Sequence, residues 1–301
     1  MLQRITTKIK KIVINIVYTI MFHFKKTPQV YSINETLDYI LNNKCSVARF
    51  GDGEIKWIYE INHPSFQKVN KKMGVMLKKE LKQINRDNRR IIICVPEFFN
   101  GLNQFNNSAK YYYQKNFIKD GGLWLKLLPT NQVFYNSDIT RPYIDYKDKT
   151  ESKVYFEKWK KIFAARNILM VEGQSTHFGV GNDLLNSAKS VRRIICPSEN
   201  AFDKYIDIKK AIIKYSSKIP DPLVLIALGP TATILSYELS LEGIQAIDIG
   251  HTDLEYEWFL NNDMKKVRIK NRVVNELGEN SKDLPEFKDK DYQSEIIGSI
   301  L

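Results

Sequence analysis

The chain has 301 residues, 43% of them hydrophobic and 27% charged, which fits a folded core and excludes a disordered tail or a polytopic membrane protein. Cys45, Cys94 and Cys196 are its three cysteines. They stand too far apart for a CxxC pair, a disulfide framework or a zinc module, which points to a reducing compartment, the cytoplasm. The formal charge of +12 raises nucleic acid or an acidic membrane as a partner, so its distribution matters first.

Residues 1–26 hold Arg4, Lys8, Lys10, Lys11, Lys25 and Lys26 and no acid, a local charge of +6. They also hold the apolar run Ile12–Phe22, about half of the ~20 residues a spanning helix needs, with no small-residue cleavage site behind it. Two readings stay open for residues 1–28: a helix lying on the anionic inner face of a membrane, or an ordinary helix packed on the domain. A second basic patch, residues 68–90, adds +7 and contains no aromatic residue; it reads as the solvated face of a long amphipathic helix. The rest of the chain is then close to neutral, near −1, which argues against a nucleic-acid reading surface.

From residue 29 the sequence becomes regular. Short β-rich runs at Ser46–Phe50, Ile91–Val95, Gln132–Asn136, Asn167–Val171, Arg192–Cys196, Leu223–Leu228 and Gln245–Ile249 are followed by polar turns and helical patterns. Predicted helices cover Asn34–Asn42, with Asn34 as N-cap, Thr150–Ala165, Asp203–Ser217 and Thr231–Glu242. Several runs are continuously apolar, as strands covered on both faces are. The alternation predicts an α/β fold built on an open, mostly parallel sheet with helices on both faces. Residues 99–150 carry a weaker pattern and read as an insertion, and residues 278–301 as a tail or peripheral helix, leaving residues 29–277 as one domain.

Ligands of open α/β sheets bind at the C-terminal ends of the strands, so the turns there are the candidate sites. Arg49-Phe50-Gly51-Asp52-Gly53-Glu54 places two glycines around Asp52. In an extended segment Asp52 and Glu54 would point the same way and suit a hard divalent cation, with Arg49 beside them for a phosphate. The alternative is a plain turn with Glu54 in the first turn of a helix. Gly229-Pro230-Thr231-Ala232 follows an apolar strand and suits a helix start or a phosphate site. It matches neither GxGxxG nor a P-loop, which counts against an NAD-dependent oxidoreductase. The segment Asp248 to Trp258 sets His251, Asp253, Glu255 and Glu257 close together, as a metal ligand with a base or as an acidic helix start. If a helix begins at Asp253, Asp253 and Glu257 share a face. The glycine-rich loop after Val171 contains Gly179 and Gly181 and reads as a ligand-contacting loop, with Asn182 or Asp183 capping a helix at residues 184–190. Arg141, in Asp138-Ile139-Thr140-Arg141-Pro142-Tyr143, is a phosphate ligand or the partner of Asp138 or Asp145.

In that order, RFGDGE, TRPY, EG…GVGND, ALGPTA and IDIGHTDLEYEWF resemble the motifs of GT-D-type glycosyltransferases, from about Asn34 to Glu276. The resemblance implies a Rossmann-like α/β domain, a UDP-sugar donor, a glycan or glycoprotein acceptor in bacterial surface assembly, and Mn²⁺ or Mg²⁺. It assigns the metal to Asp52 and Glu54 and the family's His and Glu to His251 and Glu257, with Glu257 the first choice of base and His251 the second. Arg49, Gly51, Gly53, Arg141, Gly179, Gly181, Gly229, Pro230 and Thr231 are then the donor-contacting positions.

Overall fold

The structure, a computed structural model, describes residues 2–63, 65–83, 90–279 and 287–301, with side chains from residue 8 onward. The chain runs α1 (Leu2–His23), β1 (Gln29–Val30), α2 (Ile33–Asn43), β2 (Ser46–Arg49), α3 (Asp52–Ile58), α4 (Lys71–Leu81) and β3 (Ile91–Val95). It continues through α5 (Asn107–Leu125), β4 (Val133–Asn136), α6 (Ser152–Phe163), β5 (Asn167–Gly173), β6 (Ser190–Cys196), α7 (Tyr205–Ser216), β7 (Pro222–Ala227) and α8 (Pro230–Leu241). It closes with β8 (Ala246–Asp248), α9 (Thr252–Leu260), α10 (Lys290–Glu295) and β9 (Ile296–Ser299).

Among the described residues nine strands form one sheet in the order β1-β4-β3-β2-β8-β7-β5-β6-β9, and every pairing is parallel. Successive strand residues alternate between two cores. Ala48, Ile93, Leu169, Val171, Val224 and Ile226 face the one covered by α3, α4, α5, α7 and α8. Val47, Ile92, Ile168, Met170, Leu225 and Ile247 face the other, covered by α2, α6 and α9. This two-sided burial is why the strands read as continuous apolar runs.

All seven predicted strands are present. The cap of α2 differs from expectation: Ser32, not Asn34, starts the helix, through a reciprocal capping box with Glu35. Residues 184–190 form turns rather than a helix, because β6 already begins at Ser190. The insertion at 99–150 contains the 19-residue α5 and strand β4. The basic patch supplies the 11-residue α4, shorter than expected, with Met73, Leu77 and Leu81 buried; residues 84–89 of that patch lie outside the described residues. The presumed tail adds α10 and an edge strand. Its anchor is Arg193, bonded to Glu295 at 2.6 Å and stacked on Tyr292.

Candidate active site

The strand order reverses between β2 and β8, and a cavity of about 970 Å³ opens at the C-terminal ends of the strands there. Of the predicted site residues, Arg49, Gly51, Asp52, Gly53, Glu54, Arg141, Gly229, Pro230 and His251 line it. Gly179, Gly181, Thr231 and Glu257 do not line it.

Arg49 ties the two central strands together. Its Nε donates to the Asp248 carbonyl at 2.9 Å and its Nη2 to Asp248 Oδ1 at 2.7 Å, while Thr233 Oγ1 donates to the Arg49 carbonyl at 2.9 Å. Two of the three guanidinium nitrogens are therefore held by Asp248, while Nη1 makes only a 3.5 Å contact to the Ser137 carbonyl. Gly250 has φ +46°, and a Cβ there would come within 2.0 Å of Arg49 Nη2, so only glycine permits the pair.

Asp52 and Glu54 depart from the extended arrangement. Both sit in the first turn of α3, so an i,i+2 spacing turns their side chains about 200° apart. Asp52 Oδ2 accepts from Lys56 Nζ at 3.0 Å and from Tyr112 Oη at 2.7 Å. Desolvation opposes its ionisation, yet Lys56 and Tyr112 hold its carboxyl below the ordinary value. Glu54 Oε2 folds back to accept from Gly51 N at 2.8 Å. Burial, then the charge of Asp248, pushes Glu54 up to about 7.

Facing them is a polar cluster around Glu276, which accepts from Arg141 Nη2 at 2.8 Å and lies 3.6 Å from His251 Nε2 and 3.9 Å from Lys266 Nζ. Burial works against the Glu276 anion, but His251, Arg141 and Lys266 hold its carboxyl well below the ordinary range. Burial, and behind it the Arg141 guanidinium, pulls His251 down to about 3, so its imidazole is neutral at physiological pH. Arg141 pairs with Glu276, not with Asp138 or Asp145.

Asp253 and Glu257 do share a face of α9, but that face holds a loop in place. Asp253 accepts from Gly179 N at 2.8 Å, from Asn182 Nδ2 at 2.9 Å and from Arg272. Glu257 accepts from Asn182 Nδ2 at 2.7 Å, with Arg272 3.4 Å away. The glycine-rich loop is thus latched to α9, and Glu257 belongs to the latch. At the ALGPTA turn Gly229 has φ +54° with the Phe66 ring 2.4 Å from where a Cβ would stand, and Pro230 opens α8. Thr231 is buried beneath that turn and does not cap it.

Several cavity residues were not among the expected site residues. Tyr112 comes from α5, inside the presumed insertion. Lys266 follows α9 in a stretch without a motif. Asp138 and Asp248 stood inside quoted motifs, but nothing local distinguishes them. Asp138 is buried in the cavity wall with Oδ2 lacking a hydrogen-bond partner. Burial, then Glu97 and Asp145, pushes it up to about 7.

Among the described residues no three His, Cys, Asp or Glu side chains cluster closely enough to hold a metal ion alone. The donor set nevertheless fits a cation that uses one or two carboxylates and completes its shell with substrate phosphate and water, as Mg²⁺ and Mn²⁺ sites commonly do. Glu54 supports that fit, being a half-buried acid near Asp248 whose negative charge is under-compensated.

The profile of the glycosyltransferase GT-D fold matches residues 47–277. The chain belongs to the GT-D family. The chain is 36% identical over 272 residues to the "Probable glycosyl transferase Gly" of Streptococcus gordonii, and 35% identical over 273 residues to "Glycosyltransferase GlyD" of Streptococcus pneumoniae serotype 4. The alignments cover 90% and 91% of this chain but 39% and 33% of those proteins, so the chain spans well under half of their length. Among solved structures it is similar, with a TM-score of 0.85 and 34% identity, to one described as a domain of unknown function 1792 with a distinct glycosyltransferase fold, covering 92% of this chain and 97% of that one. A Streptococcus sanguinis glycosyltransferase of the same domain type gives the same TM-score and identity over 91% of this chain and 100% of that one. The nine-stranded parallel GT-D sheet agrees with the expected α/β class.

Proposed function

We propose that this GT-D glycosyltransferase moves a hexosyl group from a nucleotide-sugar donor, UDP-linked, to a hydroxyl of a bacterial glycan or glycoprotein. The observation that carries the reading is one cavity at the β2/β8 switch point. It gathers a carboxylate pair on α3, a helix N-terminus behind Gly229-Pro230, and the Arg141/Lys266/His251/Glu276 cluster. Acid, cation and N–H dipole in one cleft are what a sugar diphosphate requires.

One of the two acids at the start of α3, Asp52 or Glu54, would hold Mn²⁺ or Mg²⁺ together with substrate phosphate and water, which when bound neutralises the diphosphate and eases its departure. The start of α8, behind Gly229-Pro230, would direct the positive end of its helix dipole toward the same anion. Neutral His251 accepts a hydrogen bond from a substrate hydroxyl without adding charge. Glu257 is occupied in the latch, so the acceptor proton goes to another carboxyl. Asp138 fits that role: it lines the cavity, and its raised affinity suits proton uptake near neutral pH. It takes the hydroxyl proton as the acceptor oxygen bonds to the sugar carbon and the bond from that carbon to the phosphate oxygen breaks.

UDP release from a panel of UDP-sugars, with and without Mn²⁺, tests the reading. Asp138→Asn should slow turnover by on the order of 100-fold or more, whereas Glu257→Gln should stay close to wild type. Failure of every donor, with no binding of UDP in the presence of Mn²⁺, would overturn the function. A normal Asp138→Asn rate would move the base elsewhere.

A further inference from the structure

Helix α1 presents two opposite faces. At about 100° per residue, Ile14, Tyr18, Met21 and Phe22 fall within about 60° of Tyr18. This face packs on α5: Tyr18 meets Phe117 edge-on and Phe22 meets it at a tilt, and Asn15 accepts from Gln114 Nε2 at 2.7 Å. Ile9, Ile12, Val13, Ile16, Val17 and Ile20 project on the opposite side, each between 37% and 54% exposed. Phe24 extends the same row just past the helix end and is 80% exposed. Six branched apolar side chains and a phenyl ring in one row exceed what scattered surface residues explain.

The charges around that row say what covers it. Lys8 and Lys10 sit about 80° to either side of the packed face, at the margins of the apolar arc. Residues 1–26 contain no acid, and α5 adds exposed Lys115, Lys119 and Lys126. No described helix is long and apolar enough to cross a membrane, so α1 does not span one. A second copy of the chain would bring two such acid-free basic segments together with nothing to offset them. An anionic lipid surface supplies both the acyl boundary for the isoleucines and the negative charge for the lysines.

We propose that α1 docks the protein on an anionic lipid surface, its inner face bolted to α5 and its outer row of Ile9 to Phe24 entering the headgroup boundary. The same α5 carries Tyr112 to Asp52, so the lipid surface would lie one helix from the cavity. The proposal does not depend on the reaction assigned to that cavity.

Vesicle co-sedimentation of the full chain is the test, using phosphatidylcholine alone and with 3 parts in 10, roughly, of phosphatidylglycerol. Binding should require the anionic lipid and weaken steeply with salt. The combined variant Ile12→Gln, Ile16→Gln and Ile20→Gln should bind at least ~10-fold more weakly with an unchanged thermal midpoint, because these side chains already face outward. Ile16→Trp should shift its emission to the blue when anionic vesicles are added. No sedimentation with anionic vesicles overturns the proposal. So does full binding by the triple-Gln variant, or a dimer that this variant dissolves in a protein that ignores vesicles.

Discussion

Glu54→Gln should stabilise the ligand-free protein at alkaline pH while removing its activity. Glu54 ionises at about 7 in the folded protein against 4.5 as a free side chain. The folded state therefore holds the proton more tightly than the unfolded chain. The stability this contributes is complete below about pH 4.5 and is lost as pH rises through about 7. At ~1.4 kcal/mol per pH unit, full ionisation costs the wild type about 3 kcal/mol, an upper figure for a carboxyl coupled to Asp248. Gln can still accept from Gly51 N, so the helix start survives and only the charge is removed. With an unfolding entropy of ~2 cal/mol/K per residue, the variant should melt ~5 °C above wild type at pH 8.5 and within ~1–2 °C at pH 5. Thermal unfolding of both proteins across that range, without divalent cation, is the assay. Parallel curves at all pH values would refute the claim that Glu54 is a desolvated, under-compensated acid. Mn²⁺ with UDP should close the gap by stabilising the wild type alone.

Arg193→Met should cost ~3–5 kcal/mol in urea unfolding, because it strands Glu172, whose side chain is fully buried 2.7 Å away. Adding Glu172→Gln should recover part of that loss, and a purely additive double variant would exclude coupling. Gly250→Ala should destabilise by more than ~2 kcal/mol and abolish UDP release by displacing Arg49. Gly278→Ala, at a similar φ of +73° but beside open space, should cost only about 1 kcal/mol and spare activity. The His251 imidazole should show no NMR titration between pH 5 and 8, since its folded value lies near 3; a midpoint near 6.5 would contradict the desolvation and the Arg141 charge described for it.

Much of the architecture is legible in local pattern. Strands buried on both faces must be apolar throughout, so LVLIAL, NILMV and IIICV announce themselves, and glycine-marked turns after them point to the edge where a ligand binds. The same locality explains the failures. IIGSIL at the chain end is short, and its pairing with β6, a hundred residues earlier, makes it a strand, with Arg193 holding Glu295 just before it. Asp52 and Glu54 look like a converging pair until α3 starts at Asp52 and turns them apart.

The sequence by itself determined the α/β class, the family motifs and the uneven distribution of the +12 charge, because these depend on residue type and short spacing. The tertiary structure decided the partners. It joined Arg49 to Asp248 across 199 positions, gave Arg141 to Glu276, and set Glu257 against Asn182 and Arg272 in a loop latch. It also settled how α1 divides its apolar residues between a packed face and an exposed one, which composition cannot distinguish. Burial and charge pairing are properties of neighbours in space, and a parallel sheet with long crossovers draws those neighbours from distant parts of the chain.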